Sequence, residues 1–287
     1  MIRPMLKTLL RWTFPLVALF VVGPAAGLLI ASLRDLDGGT DATPLTSALP
    51  MMGLVVGLGV LALAGVLGAI AARLVGLGSG MTVTGFVLAW AAWRTGNVER
   101  IVLAWDSDRP LWRLAIEGAI LGVAGVGIAL GLCAVSRDRG GAGARGRESD
   151  PSPLTHLRDA VLGEGAPLGL AVALVGGGVG AWLVAVSGLK GQTIWAALLG
   201  VLLGTTAARV AEHRTPVLTF FIAIAVLATL GPISGDVMAS TPIVDQARRG
   251  TIFALALPTP LDWLAGAFLG VPIGLGWAAA MSGRTEA

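Results

Sequence analysis

Eight stretches of this chain are continuously apolar, and short polar stretches separate them. They cover approximately 12–33, 51–73, 77–93, 111–136, 167–187, 193–211, 216–233 and 260–281. A helix needs about 20 apolar residues to cross about 30 Å of hydrocarbon, and most of the runs supply that. A transmembrane strand would instead alternate apolar and polar positions over about ten residues. The pattern predicts an all-α fold, a polytopic transmembrane helix bundle of about eight spans. The third run, "LGSGMTVTGFVLAWAAW", is short and carries two threonines, so it either spans or only dips into the bilayer.

Composition fixes the solvent. The 287 residues are 55% hydrophobic and 13% charged, with a mean hydropathy of +0.83. A soluble domain carries about a quarter charged residues to cover its surface, and this chain cannot do so. The partner of most of its surface is therefore the lipid bilayer. Arg3, Lys7 and Arg11 precede the first run. That run outlasts the 7–15 apolar residues of a signal peptide, so it reads as a signal-anchor helix from Trp12 to about Leu33.

Loop charges set the predicted orientation. With eight spans and a cytoplasmic N-terminus, Arg3, Lys7, Arg11, Arg73, Arg137, Arg139, Arg145, Arg147, Arg158, Arg209, Arg214 and Arg284 lie inside. Arg34, Arg94, Arg100, Arg109, Arg113, Lys190, Arg248 and Arg249 lie outside. The excess has the sign that the positive-inside rule requires, and both termini are predicted to be cytoplasmic. Dropping the third span would put the arginine-rich central loop outside, against that rule. Trp90, Trp93, Trp105, Trp112, Trp195 and Trp263 then map to the outer interface, Trp12 and Trp277 to the inner one, and Trp182 to mid-span. Two tryptophan belts are what correctly placed helix ends show. The bias to Arg over Lys, with many Ala and Gly, points to a GC-rich bacterial genome and hence to the cytoplasmic (inner) membrane.

Residues 137–166 divide the chain. Their first part is rich in Gly, Arg, Ser and Pro, which cannot bury enough apolar area to fold alone. After Pro153, Leu154, Leu157, Val161 and Leu162 recur at helical spacing and predict a short amphipathic helix at the cytoplasmic interface. The segment reads as a cytoplasmic linker between four-helix halves at 1–136 and 167–287. "GAILGV" at 118–123 recurs as "GAFLGV" at 266–271, and "LGAIAAR" ending at Arg73 recurs as "LGTTAAR" ending at Arg209. Their matching order predicts a parallel 4+4 internal repeat, related by an axis along the membrane normal. Gly118/Gly122, Gly266/Gly270, Gly176/Gly180, Gly200/Gly204 and Gly270/Gly274 are spaced by four, which lets a neighbouring backbone approach closely. They predict helix packing.

Ionisable groups within a bilayer are functional candidates by default. Glu117 lies about two turns into the fourth span, and Arg113 stands four residues earlier on the same helix face, where an ion pair can form. Glu117 and Arg113 are the candidate intramembrane functional pair. In the second half the counterpart of Glu117 is Ala265, and Asp262 lies at the helix mouth. Residues 97–110, "NVERIVLAWDSDRP", place Val98, Ile101, Val102 and Trp105 on one stripe, as in an interfacial helix. Residues 234–259 form a lid, a docking surface or a passive interfacial segment.

Other chemistry has little to build on. Cys133 is alone, His156 and His213 fall in predicted loops, and GxxxxGK[ST], HExxH, CxxC and EF-hand patterns are missing from the sequence. "DSD" at 106–108 is too short for a calcium loop. The basic residues are dispersed, which argues against nucleic acid. Neither a metal nor a cofactor is expected. The reading is an integral membrane protein, a non-enzymatic subunit or scaffold of a membrane complex, partnered by other membrane or periplasmic proteins or by its own copies. The alternative is a small-solute or ion transporter with Glu117 in its pathway.

Overall fold

A computed structural model describes residues 2–105, 109–137 and 153–283. Among them the regular elements are helices throughout. They are α1 (Ile2–Val17), α2 (Gly23–Ala31), α3 (Pro50–Leu74), α4 (Leu77–Trp93), α5 (Val98–Ala104) and α6 (Pro110–Arg137), followed by α7 (Pro153–Leu162), α8 (Ala166–Val184) and α9 (Lys190–Ala211). The chain continues with α10 (Val217–Val237), α11 (Ile243–Arg249) and α12 (Pro260–Met281). One wide turn of π-helix, Ala18–Val22, joins α1 to α2. Seven helices are long and apolar enough to cross a membrane, counting Thr8–Ala31 as one, and α4 is a shorter apolar helix. Proline opens α2, α3, α8 and α12 at the first turn, where its missing N–H breaks no helical bond.

The core gathers on α12. Every residue from Pro260 to Val271 is buried, so the first half of the helix is enclosed by its neighbours, among them α4, α6, α9 and α10. A helix apolar all round belongs in such a position. The 17 residues of α4 rise only about 25 Å, less than a bilayer core. The helix tolerates Thr84 because it is buried in protein, with Thr84 Oγ1 donating to the Gly80 carbonyl at 3.0 Å.

Close backbone contacts hold the helices together, since lipid gives apolar side chains no preference for one another. Gly176 and Gly180 of α8 face Gly204 and Gly200 of α9, so a Cβ at Gly180 would stand 3.0 Å from the Gly200 Cα. The GGGVG stretch is thus part of a helix crossing. Gly118 and Gly122 of α6 meet Ala228 and Ala225 of α10, whereas Gly266 and Gly270 of α12 meet Ala197, Leu198 and Val201 of α9. A parallel duplication would pair the α6–α10 contact with one between α12 and α4. Those helices do pack, but the glycines of the second hexapeptide face α9, and the internal repeat is not confirmed.

At one end of the bundle the connecting segments form a folded cap. Val98, Ile101, Val102 and Trp105 of the α5 region cluster with Leu111, Leu114, Ala185, Ala247, Ile252 and Leu257. The stripe expected to rest on lipid is therefore buried in protein, and α5 packs on α11. The tryptophan reading needs two further corrections. Trp105 and Trp263 are buried in protein, while Trp182 lies two residues from the end of α8 and is half exposed. The DSD triplet, residues 138–152 and Arg284 fall outside the described residues. Within the described part of the linker, α7 packs on α8 and α10. Ala160 and Leu157 face the bundle, and Leu162 faces outward.

The two kinds of glycine in α6 are separable by measurement. A Cβ at Gly118 would overlap the Ala228 carbonyl, whereas one at Gly127 meets nothing within 4 Å. Gly118→Ala is expected to cost about 1–3 kcal/mol through overpacking. Gly127→Ala should be neutral or stabilising by up to about 1 kcal/mol from helix propensity. Thermal unfolding of both variants in one detergent checks this, and equal midpoints would contradict the contact.

Candidate functional site

The charged residues inside the bundle collect beneath the cap. α6 carries Glu117 to a fully buried position. The segment between α2 and α3 descends to meet it. Thr43 Oγ1 donates to Glu117 Oε2 at 2.6 Å, and the Leu45 backbone N–H donates to the same oxygen at 2.7 Å. The single Thr43 hydroxyl proton is thereby used, so in the 2.9 Å contact between the two hydroxyls Thr46 is the donor. Thr46 Oγ1 in turn accepts from the Thr43 N–H at 2.8 Å. Ser47 closes the turn by donating to the Pro44 carbonyl at 2.9 Å.

Glycine makes room for this segment. Pro44 sits in a notch on α3, where a Cβ at Gly57 would come within 2.8 Å of the proline ring and one at Gly53 would overlap its carbonyl. Neighbouring cap elements hold the segment from the other side. Trp105 Nε1 donates to the Thr46 carbonyl at 2.9 Å, and the Gly96 N–H donates to Ala42 at 3.2 Å. Arg100 pairs with Asp41 at 2.7 Å. Hydrogen bonding to Asp41, then its charge, pushes the Arg100 guanidinium above its ordinary value. Exposed pairs of this kind contribute little to stability, so this one serves registration more than energy.

A second buried ionic contact lies alongside. Lys190, the first residue of α9, places Nζ 3.2 Å from Asp262 Oδ2 and 3.2 Å from Thr259 Oγ1. Asp262 Oδ2 also accepts the Thr259 N–H at 2.7 Å and so caps α12. The Asp262 side chain is fully buried and that of Lys190 is 13% exposed. Glu117, Lys190 and Asp262 stand near the starts of α6, α9 and α12, so the two contacts form one charged layer at the capped end.

The expected Glu117–Arg113 grouping takes a different form. The Arg113 guanidinium lies over the Trp105 ring, 4.0 Å from its centroid, while the hydrogen bonds to Glu117 come from Thr43 and Leu45. Both residues thus border the same segment, one through its carboxylate and one through the indole that holds Thr46. Gly118, next to Glu117, seats α6 on α10, and Gly122, Gly266 and Gly270 serve packing further along α6 and α12. Glu117 Oε1 has no hydrogen-bond partner among the described residues, and neither does Trp263 Nε1.

Thr43, Leu45 and Thr46 are contributors that periodicity could not reveal, because a connecting segment has no period. Their signal is compositional: residues 42–50, "ATPLTSALP", hold three hydroxyls, two prolines and no charge. Such a composition marks a loop and points to no particular partner. The Lys190–Asp262 contact joins residues 72 positions apart, and its only trace in the sequence is that each stands at the same end of a predicted span.

Four cavities lie elsewhere. One of about 770 Å³ opens between α1, α4 and α12, and one of about 610 Å³ is an apolar groove between α6 and α10. Two of about 380 and 400 Å³ lie at the end opposite the cap, beside His156 and His213 respectively. Glu117, Lys190 and Asp262 line none of these four. No protein family, curated protein or solved structure matches the chain. Function is therefore read from these contacts.

Two substitution sets test the layer. Glu117→Ala leaves the Thr43 hydroxyl and Leu45 N–H buried without an acceptor, at about 1–3 kcal/mol each. Glu117→Gln keeps an acceptor oxygen and should cost less. The ranking is read from unfolding midpoints in detergent, and equal losses would show that the carboxylate does not hold the segment. Lys190→Ala strands a buried carboxylate and should cost about 3–5 kcal/mol, much of which the double change Lys190→Met with Asp262→Leu restores. A double variant no better than Lys190→Ala would contradict that account.

Proposed function

We propose that this chain is a non-enzymatic integral membrane protein, a subunit or scaffold of a larger membrane complex. In this reading it resides in a bacterial cytoplasmic membrane with both termini and the 137–166 linker in the cytoplasm. One observation carries the proposal. The carboxylates within the spans are engaged by the chain's own backbone and side chains, Glu117 by Thr43 and Leu45 and Asp262 by Lys190 and Thr259. A translocation path needs polar groups that are open to a solute, whereas these fasten a cap to a bundle. The folded cap then offers a shaped surface beyond the membrane, suited to a membrane or periplasmic partner.

Transport of a small solute or ion is the second reading, favoured by the bare Oε1 of Glu117. A carboxylate oxygen buried without a donor is costly, and a proton or cation reaching it would relieve that cost.

Mild-detergent extraction from the native membrane, followed by native mass measurement, separates these readings. The subunit reading expects a particle containing a second polypeptide in fixed stoichiometry. A homogeneous particle made only of the 29.1 kDa chain, with a flux in vesicles that Glu117→Gln abolishes, would overturn it in favour of transport.

A further inference from the structure

At the end of the bundle opposite the cap, α4 begins at Leu77, directly after the Val75–Gly76 turn that follows α3. The hollow of about 770 Å³ is bounded there by α1, the start of α4 and the Pro272 region of α12. Pro272 stands nine residues, about 13 Å, before the end of α12, so the hollow meets that helix away from its end.

Its lining has two characters. Arg11 and the hydroxyl residues Thr8, Ser79 and Thr82 supply the polar part, and the bare backbone of Gly76 and Gly78 leaves access to it. Pro15, Val75, Leu77, Pro272 and Ile273 supply the apolar part. Among the described residues Arg11 is the only charged one in the lining, and none of them there is Asp or Glu. Its guanidinium has no hydrogen bond or ion pair among the described residues. The other three cavities differ on this point. Among the described residues the groove between α6 and α10 has no charged one, and the cavity beside His156 contains Asp159. In the cavity beside His213, Arg209 is committed to the Thr215 carbonyl at 2.7 Å.

We infer that this hollow binds one anionic phospholipid, with Arg11 on the headgroup phosphate and the acyl chains running along Pro15, Pro272 and Ile273. Guanidinium presents paired N–H donors that match phosphate oxygens. Basic pockets between transmembrane helices at the cytoplasmic side bind such headgroups, and the charge count puts this end there. A soluble phosphate would use the arginine but leave the apolar depth unfilled. The site is independent of the cap and of the subunit reading.

The test uses the full chain, delipidated in a neutral detergent. Native mass spectrometry counts retained lipid after addition of phosphatidylglycerol or phosphatidylcholine, and a parallel series adds inorganic phosphate as competitor. One phosphatidylglycerol per chain should be retained in preference to phosphatidylcholine. Arg11→Ala should weaken retention about 5-fold, Arg11→Lys should restore part of it, and Arg73→Ala, outside the lining, should leave it unchanged. Equal retention of the two lipids, or identical retention by Arg11→Ala, would overturn the proposal. So would complete displacement by millimolar phosphate, which would identify a plain anion site. Should Arg11→Ala fail to give a monodisperse particle, Ile273→Trp, which fills the apolar part, must reduce retention in its place. Unchanged retention there overturns the proposal equally.

Discussion

Two carboxylates buried at the same end of a lipid-embedded bundle, Glu117 and Asp262, set the conditions the rest of that end must meet. An ionisable group in a low-dielectric interior is tolerated only if hydrogen bonds or an opposite charge replace its water. Glu117 draws a connecting segment down until Thr43 and Leu45 reach Oε2. Asp262 draws the first residue of α9 against the first turn of α12. The cap is folded over these contacts, and its own apolar cluster follows from the surfaces they bring together. Remove either carboxylate and the reason for the local geometry goes with it.

Within the spans the organising constraint is different. Where lipid tails and side chains are equally apolar, backbone proximity and dispersion contacts decide which helices adjoin. The reciprocal glycines of α8 and α9, and the Gly118–Ala228 approach of α6 and α10, are this constraint made local. The same six-residue pattern serves two unlike neighbours, α10 in one case and α9 in the other. A small-residue motif specifies that some backbone will come close without specifying whose.

Amphipathic stripes share that ambiguity. Val98, Ile101, Val102 and Trp105 carry the spacing of a helix lying on a membrane, yet they are buried against α6, α11 and the segment before α12. Trp105 uses its indole N–H on the Thr46 carbonyl, and Trp263 is fully enclosed at the start of α12. An apolar face requires a cover, and lipid and protein satisfy the requirement equally well.

The spans themselves were legible in the amino-acid sequence, because length and unbroken apolarity are sufficient to put a helix in a bilayer, and so was the short α4. Glu117 stood out for the same reason: a carboxylate two turns into such a run must find a partner. The identity of that partner was not legible. Helical spacing singled out Arg113, four residues away. Tertiary structure instead brings Thr43 and Leu45 to the carboxylate, more than 70 residues distant, and lays Arg113 over Trp105. It likewise joins Lys190 to Asp262 and leaves the hollow beside Arg11 between α1, α4 and α12. Local sequence determined which groups could not be left alone in lipid. Only the fold decided what came to meet them, since that depends on where distant helix ends converge.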